Sequence, residues 1–200
     1  ANAGAAFIYQ RQPGSSNTWQ EWRVLQPSQV ETNDRFGRSV AISDDYLAVG
    51  AINDEVGGVE VGSVYLFERH QGGTNNWGEW IRITPTNITN AIRFGYALDL
   101  DGDNLVVGAP DAQLAGGIIT QGAVFVFNRH AGGPDAWGEV ARWVPTDPGL
   151  TNAEFGFSVA LSGDRLVVGA PNHNVGQAPA RQSGAEGKSV GVGGRSNIKK

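Results

Sequence analysis

The sequence FGYALDLDGDNLVVGAPDAQLAGGIITQGAVFVF, residues 94–127, decides the fold because it recurs along the chain. A close copy, FGRSVAISDDYLAVGAINDEVGGVEVGSVYLF, occupies residues 36–67, and FGFSVALSGDRLVVGAP at residues 155–171 repeats its first half. The copies follow one another at a period of about sixty residues, which is typical of a repeat architecture. The repeat predicts a stack of similar structural units and says much less about what they bind.

Each unit is predicted to contain four short strands joined by short turns, which is typical of an antiparallel meander. The first strand alternates large and small residues, and the large ones are expected on one face: Phe36, Arg38, Val40 and Ile42. The opposite face carries glycine, serine and alanine. A sheet that is bulky on one face and bare on the other packs well against copies of itself. The sequence therefore predicts an all-β fold of four-stranded antiparallel blades of a β-propeller.

The unit boundaries divide the chain into five parts. Residues 1–33 match the second half of a unit, residues 34–91 and 92–153 are complete blades, and residues 154–171 match the first half of a unit. Residues 172–200 are rich in glycine, serine and basic residues and hold few apolar ones, so they are predicted to be a flexible or non-native tail. The chain therefore contains about three blades' worth of strands.

The composition places the chain among globular proteins and excludes several kinds of partner. Hydrophobic residues make up 40% and charged residues 18%, and the formal net charge of −5 offers no basic surface to a nucleic acid. No apolar run approaches the roughly 18 residues of a membrane span. The absence of cysteine excludes disulfides and thiolate metal sites.

Short motifs in register connect the chain to a known family. Phe94-Gly95 is followed by Gly108-Ala109-Pro110, and the same motifs recur between Phe155 and Pro171, whereas the first unit has Ile52 in place of the proline. Over residues 1–171 the sequence resembles the FG-GAP repeat of the integrin α-chain propeller and of many surface proteins. The resemblance implies a β-propeller of an extracellular or cell-surface protein that is used mostly for recognition.

The blade count requires an explanation, because three blades are fewer than the four to eight with which propellers usually close. We favour a piece of a larger propeller, which agrees with the absence of methionine from the chain. The alternative is a homo-oligomer in which copies of the chain complete a ring. In either case the strand edges at both ends must be covered.

The resemblance also draws attention to calcium, because family members often bind it in a loop between the first and second strands of a blade. The turns here are short, and only the second blade offers three carboxylates for a metal site, Asp99, Asp101 and Asp103. Calcium needs six to eight oxygen ligands, so an ordinary hairpin turn without a cofactor is the expected structure. Asp99 replaces Ala41 and Ala160 of the other units and needs a partner, either an ion or a base from the neighbouring blade.

The resemblance places the ligand surface on the loops that join the second strand to the third and the fourth strand to the next unit. These loops diverge most between units and hold most of the acidic residues, so the candidate ligand-binding residues are Asp54, Glu55, Asp111, Asp147 and Glu154. Solvent exposure alone also allows loops to diverge. The functional interpretation is a face on which each blade adds a weak contact to a protein or glycan ligand.

The histidines and tryptophans are interpreted mainly as structural. His70 and His130 occupy equivalent turns, and no serine, histidine and acid have a catalytic spacing, so an enzyme is not expected. The tryptophans that begin the fourth strands are expected to cover the outer edges of blades: Trp19, Trp77 and Trp137. Trp143 is the exception, because the equivalent positions hold leucine and isoleucine.

The sequence thus predicts a non-enzymatic recognition or adhesion module that binds a protein ligand through propeller loops. A carbohydrate-binding propeller is one alternative, for which exposed tryptophans such as Trp143 would be suited. A second alternative is a structural subunit whose open blades pair with copies of itself into a ring or a fibre. An accessory domain of a larger hydrolase is a third.

Overall fold

The computed structural model describes residues 3–14, 17–29, 31–86, 90, 92–113, 121–145 and 152–173. The regular elements in these ranges are all β-strands, and none of the described residues forms a helix long and apolar enough to cross a membrane. Residues 174–200 of the predicted tail lie outside the described ranges.

The strands form two four-stranded sheets, each flanked by a two-stranded one. The N-terminal half blade contains β1 (Ala6–Arg11) and β2 (Trp19–Leu25). The first blade contains β3 (Phe36–Ser43), β4 (Tyr46–Ala51), a small hairpin of β5 (Glu55–Val56) and β6 (Val59–Glu60), then β7 (Ser63–Glu68) and β8 (Gly78–Ile83). The second blade contains β9 (Ala97–Asp101), β10 (Asn104–Ala109), β11 (Ala123–Asn128) and β12 (Gly138–Trp143). The C-terminal half blade contains β13 (Ser158–Ser162) and β14 (Arg165–Gly169).

The order of the strands confirms the predicted blades. The first blade runs β3-β4-β7-β8 and the second runs β9-β10-β11-β12, with antiparallel pairing throughout. The hairpin of β5 and β6 was not predicted, because its two-residue strands give no periodic signal. Among the described residues it pairs only with itself, and its Val56 and Val59 pack against the apolar core from the loop between the second and third strands.

An irregularity in β3 changes the predicted alternation at one residue. Phe36 pairs with Ala51 and Ser39 pairs with Gly50, so Gly37 and Arg38 form a bulge. Val40 and Ile42 remain on the bulky face as predicted. The prediction for Arg38 is wrong, because its guanidinium lies over a ring of the second blade instead.

The glycines of the two motifs meet across the blade interfaces, which explains why both motifs are needed. A Cβ atom on Gly50 would lie 2.2 Å from the carbonyl oxygen of Gly95, and one on Gly108 would lie 2.0 Å from the carbonyl oxygen of Gly156. Gly95 and Gly156 also have positive φ angles of 87° and 90°, which other residues rarely adopt. Gly95 and Gly156, the glycines of the second and third FG motifs, therefore pack directly against the second strand of the preceding blade.

The core lies between the sheets. One apolar cluster joins the N-terminal half blade to the first blade, and Phe36 contacts Tyr65 and Phe67 edge-on within it. A larger cluster joins the first blade to the second, where Phe94 contacts Phe125 and Phe127 in the same way. Packing copies of one sheet against each other thus buries the bulky faces, as the repeat predicted.

The position of two tryptophans contradicts the sequence prediction. Trp77 and Trp137 are buried in these clusters and do not cover outer edges. Both have left-handed backbone conformations, with φ angles of 51° and 50°, immediately before the fourth strand. The tight turn into the fourth strand is therefore part of the interblade packing.

The first strands of successive blades lie next to one another. Within the described residues, the main strand contacts between blades all involve a first strand, chiefly β3 with β9 and β9 with β13. The fourth strands diverge, which gives the fan of sheets found in a propeller.

Candidate recognition surface

Three side chains from successive units form a stack at one end of the first strands. Arg38, Tyr96 and Phe157 each follow the FG motif of their unit. The Arg38 guanidinium lies 3.9 Å from the centre of the Tyr96 ring, and the centres of the Tyr96 and Phe157 rings are 5.0 Å apart. Arg38 and Phe157 are exposed and Tyr96 is half-buried. These residues, called the axial stack below, were not predicted, because only their place in an alternating strand was considered.

Arg93 links the axial stack to two predicted ligand-binding residues. Its guanidinium lies 4.9 Å from the centre of the Tyr96 ring and forms a two-point ion pair with the Asp111 carboxylate. The hydrogen bond to Asp111 raises the pKa of Arg93 against the opposing effect of burial, and the charge of Glu154 adds to the increase. Asp111 and Glu154 therefore lie at the same end of the blades as the stack.

The structure places Asp54 differently from the prediction. Its side chain is only 6% exposed; one carboxylate oxygen accepts a hydrogen bond from the Tyr65 hydroxyl at 2.8 Å and the other from Arg82 at 2.6 Å. Burial, followed by the hydrogen bond to Asp54, raises the pKa of Tyr65. Asp54 is therefore a buried anchor of its loop, and both of its carboxylate oxygens are bonded within the first blade.

Glu55 follows Asp54 and has the exposure that a ligand contact needs. It begins the small hairpin of β5 and β6, and its backbone carbonyl accepts a hydrogen bond from Arg82 at 2.8 Å. Glu60, at the other end of the hairpin, is also exposed. The hydrogen-bonded group of Asp54, Tyr65 and Arg82 therefore holds an acidic hairpin in one position. Asp147, the remaining candidate, lies outside the described residues.

The three candidate calcium ligands have separate protein partners. Asp99 accepts hydrogen bonds from the backbone amides of Leu100 at 2.9 Å and Leu161 at 2.6 Å, and Asp101 accepts one from Gly163 at 2.6 Å. The partner that the neighbouring unit gives Asp99 is a backbone amide of the C-terminal half blade.

The third carboxylate, Asp103, belongs to a repeated ion pair. It lies 3.5 Å from Arg129 and 3.6 Å from His130, and Asp45 lies 3.4 Å from Arg69 at the equivalent place in the first blade. No group of three His, Asp or Glu side chains within the described ranges is placed to hold a metal ion. The arrangement does not gather Asp99, Asp101 and Asp103 into a metal site.

Sheets of four antiparallel strands, stacked by their faces and fanned about their first strands, define the protein as a β-propeller. The sequence model of the FG-GAP repeat matches residues 19–67, 77–127 and 137–185, which together make up most of the chain. The chain therefore belongs to the FG-GAP repeat family. A comparison with curated proteins finds no match.

The matches are offset from the blades. Each begins at the fourth strand of one unit and continues through the next unit, and the third match extends beyond Pro171 to residue 185. FG-GAP propellers are in general recognition domains without catalysis, and they are typical of extracellular and surface proteins.

Proposed function

We propose that the chain is a non-enzymatic recognition or adhesion module of an extracellular or cell-surface protein, and that it binds a protein ligand at the axial stack. The observation that carries the proposal is the stacking of Arg38, Tyr96 and Phe157 side by side on three successive units, with Arg38 and Phe157 exposed. Arginine and aromatic side chains dominate the energetics of protein interfaces. No single blade assembles this group, so the site exists only in the stacked fold.

The surroundings of the stack favour a preorganised site. Tyr96 is held between the guanidinium groups of Arg38 and Arg93 and the ring of Phe157, so little side-chain freedom is left to lose on binding. Asp111 fixes Arg93 by a two-point ion pair. A rigid aromatic centre with charged neighbours is the arrangement of an interface anchor.

The exposed acidic residues of the loops indicate the chemistry of the ligand. Glu154 lies near Arg93, and the hairpin that follows the second strand of the first blade carries the exposed Glu55 and Glu60. Acidic loops favour a ligand with basic residues beside an apolar or aromatic one, because complementary charge raises association rate and specificity. We therefore propose a basic protein segment as the ligand.

A displayed library of random peptides, selected on the immobilised protein, tests this function. Enriched peptides are expected to combine basic and aromatic residues, and Tyr96→Ala and Arg38→Ala are each expected to weaken their binding at least about tenfold, as for interface anchors. Trp80→Ala is the matched control, because Trp80 is an exposed aromatic on a fourth strand. Peptides that bind all three variants equally would place recognition elsewhere. Binding of an immobilised glycan that Trp143→Ala abolishes would favour the carbohydrate alternative.

A further inference from the structure

Five large side chains near the start of the chain are exposed, although the residues at equivalent positions of later units are buried. They are 54% to 63% exposed: Phe7, Tyr9, Trp19, Val40 and Ile42. The equivalent residues of the next unit are at most 9% exposed: Tyr65, Phe67, Trp77, Leu98 and Leu100. We call the exposed set the open bulky face. The later units show what covers such a face, namely the small face of another FG-GAP blade.

The N-terminal half blade of β1 and β2 also has an open strand edge. β1 is equivalent to the third strands β7 and β11, each of which pairs with a second strand on one side and a fourth strand on the other. Within the described residues β1 pairs only with β2. An occupant must therefore supply a second strand at this edge and a small face against β3.

A complementary surface lies at the other end of the described chain. β14 is a second strand that pairs only with β13 among these residues. Between β14 and the second blade is a cleft, called the open cleft, lined among others by Val106, Val126, Trp143, Leu161 and Leu166. At the equivalent place between the first and second blades, Phe125 and Phe127 fill the space.

We propose that β1 and β2 of a second copy of this chain occupy the open cleft. The strands β13 and β14 of one copy and β1 and β2 of the other then form one four-stranded blade in the order of the complete blades. Phe7 and Tyr9 of the second copy take the places that Phe125 and Phe127 take against the first blade. One association covers the open bulky face, the open cleft and both free strand edges.

The complete blades also define the register of this composite blade. Ala48 pairs with Leu66 and Val106 pairs with Val126, so Val167 should pair with Ile8 of the second copy. Gly50 packs against Gly95, so Gly169 should pack against Gly37 of the second copy. These two contacts distinguish the composite blade from an unspecific apolar association.

The count of blades gives the size of the assembly. The described residues of each copy bring two four-stranded sheets and two complementary half blades. Two copies joined head to tail would close six blades, which lies within the usual range of four to eight. The proposal uses no residue of the axial stack, so it and the proposed function fail independently.

Light scattering and native mass spectrometry of the protein test the assembly. The wild type is expected at twice the 21.1 kDa mass of one chain. Tyr9→Lys and Gly169→Ala are each expected to give monomers with unchanged circular dichroism. Tyr9 is exposed in the single chain. A Cβ atom on Gly169 would come closest to the Ser158 hydroxyl, and the nearest backbone atom would be the Ser158 nitrogen at 3.7 Å. Thr74→Lys, at an exposed turn, is the control that should remain a dimer.

Engineered cysteines test the register, since the chain contains no cysteine of its own. The double variant Ile8→Cys with Val167→Cys is expected to form disulfide-linked dimers under mild oxidation. Gln10→Cys with Val167→Cys, two residues out of register, should link far less. A monomeric wild type at every soluble concentration, a dimer that survives both Tyr9→Lys and Gly169→Ala, or an open series of larger species would overturn the proposal.

Discussion

The first and second blades share four main strands, a bulge between the third and fourth strands and equivalent glycine contacts, but they keep their acidic residues in different places. The first blade buries Asp54 beneath its loop, where the second blade has Ala112. The second blade places Asp99 and Asp101 on its small face, where the first has Ala41 and Ser43. The two blades therefore share the apolar residues and the glycines, whereas their acidic residues make contacts that are particular to each blade.

The polar contacts between units show that a serine and an aspartate can accept the same hydrogen bond. Gly102 donates its backbone amide to the Ser43 hydroxyl at 3.1 Å, and Gly163 donates to the Asp101 carboxylate at 2.6 Å in the next interface. In each case the last residue of a first strand binds the turn of the following unit. The charge of the Asp101 carboxylate thus strengthens a contact that a serine makes in the first interface.

The largest expected effect comes from breaking the feature that the two blades share. Gly50→Ala and Gly108→Ala should each lower the free energy of unfolding by about 3 kcal/mol, because the added Cβ atom meets a backbone oxygen of the next unit. Urea unfolding in a Tyr9→Lys background, which holds the association state constant, measures the loss.

Gly169→Ala is the internal control for this effect. Its Cβ atom would meet chiefly the Ser158 hydroxyl, which can rotate, so the loss should stay below about 1 kcal/mol. Equal losses at all three glycines would show that the contact between units does not determine the cost.

A smaller loss is expected from the anchor that only the first blade has. Asp54→Ala should cost about 2 kcal/mol, because it removes a buried acceptor of Tyr65 and Arg82 while Arg82 keeps other partners. Adding Tyr65→Phe gives the first blade the alanine and phenylalanine of the second, and should recover part of the loss. Thermal unfolding of the single and double variants compares them, and a double variant less stable than Asp54→Ala would contradict the interpretation.

The next effect concerns the small face of the second blade. Asp99→Ala should cost about 1.5 kcal/mol, because the amides of Leu100 and Leu161 lose a charged acceptor. Asp101→Ser restores the residue of the first blade and should change stability by less than about 0.5 kcal/mol. Urea unfolding distinguishes the two.

A calcium titration distinguishes carboxylates that bind protein groups from carboxylates that form a metal site. Added calcium is expected to leave the unfolding temperature unchanged, because each of the three carboxylates already has a protein partner. A calcium-dependent increase that Asp103→Asn removes would restore the metal prediction.

The smallest effect is a dependence on alkaline pH. Burial raises the pKa of Tyr65 above its ordinary value of 10.0, so the folded protein holds this proton more tightly than the unfolded chain. The associated stability is complete below pH 10 and is lost as the pH rises toward the folded pKa. Tyr65→Phe should make the decline above pH 10 less steep in urea unfolding at a series of pH values. An unchanged slope would show that Tyr65 does not contribute to it.

The blades were predictable because their signals are local. The alternation in β3, the FG and GAP glycines and the period of about sixty residues all lie within short stretches of sequence. The bulge at Arg38 and the burial of Trp77 were not predicted, since each depends on contacts with a neighbouring sheet. Among the candidate recognition residues, Glu55 is exposed and Asp54 is buried. The sequence of an acidic loop does not distinguish these two environments.

The sequence by itself determined the repeat, the four-stranded blade and the family, because backbone conformation and alternation of side-chain size act between near neighbours in the chain. Only the tertiary structure decided which groups meet. Arg38, Tyr96 and Phe157 come from three units, and Asp99 finds its partner in a backbone amide of Leu161. Such contacts join residues of successive units, so they depend on how one blade packs on the next.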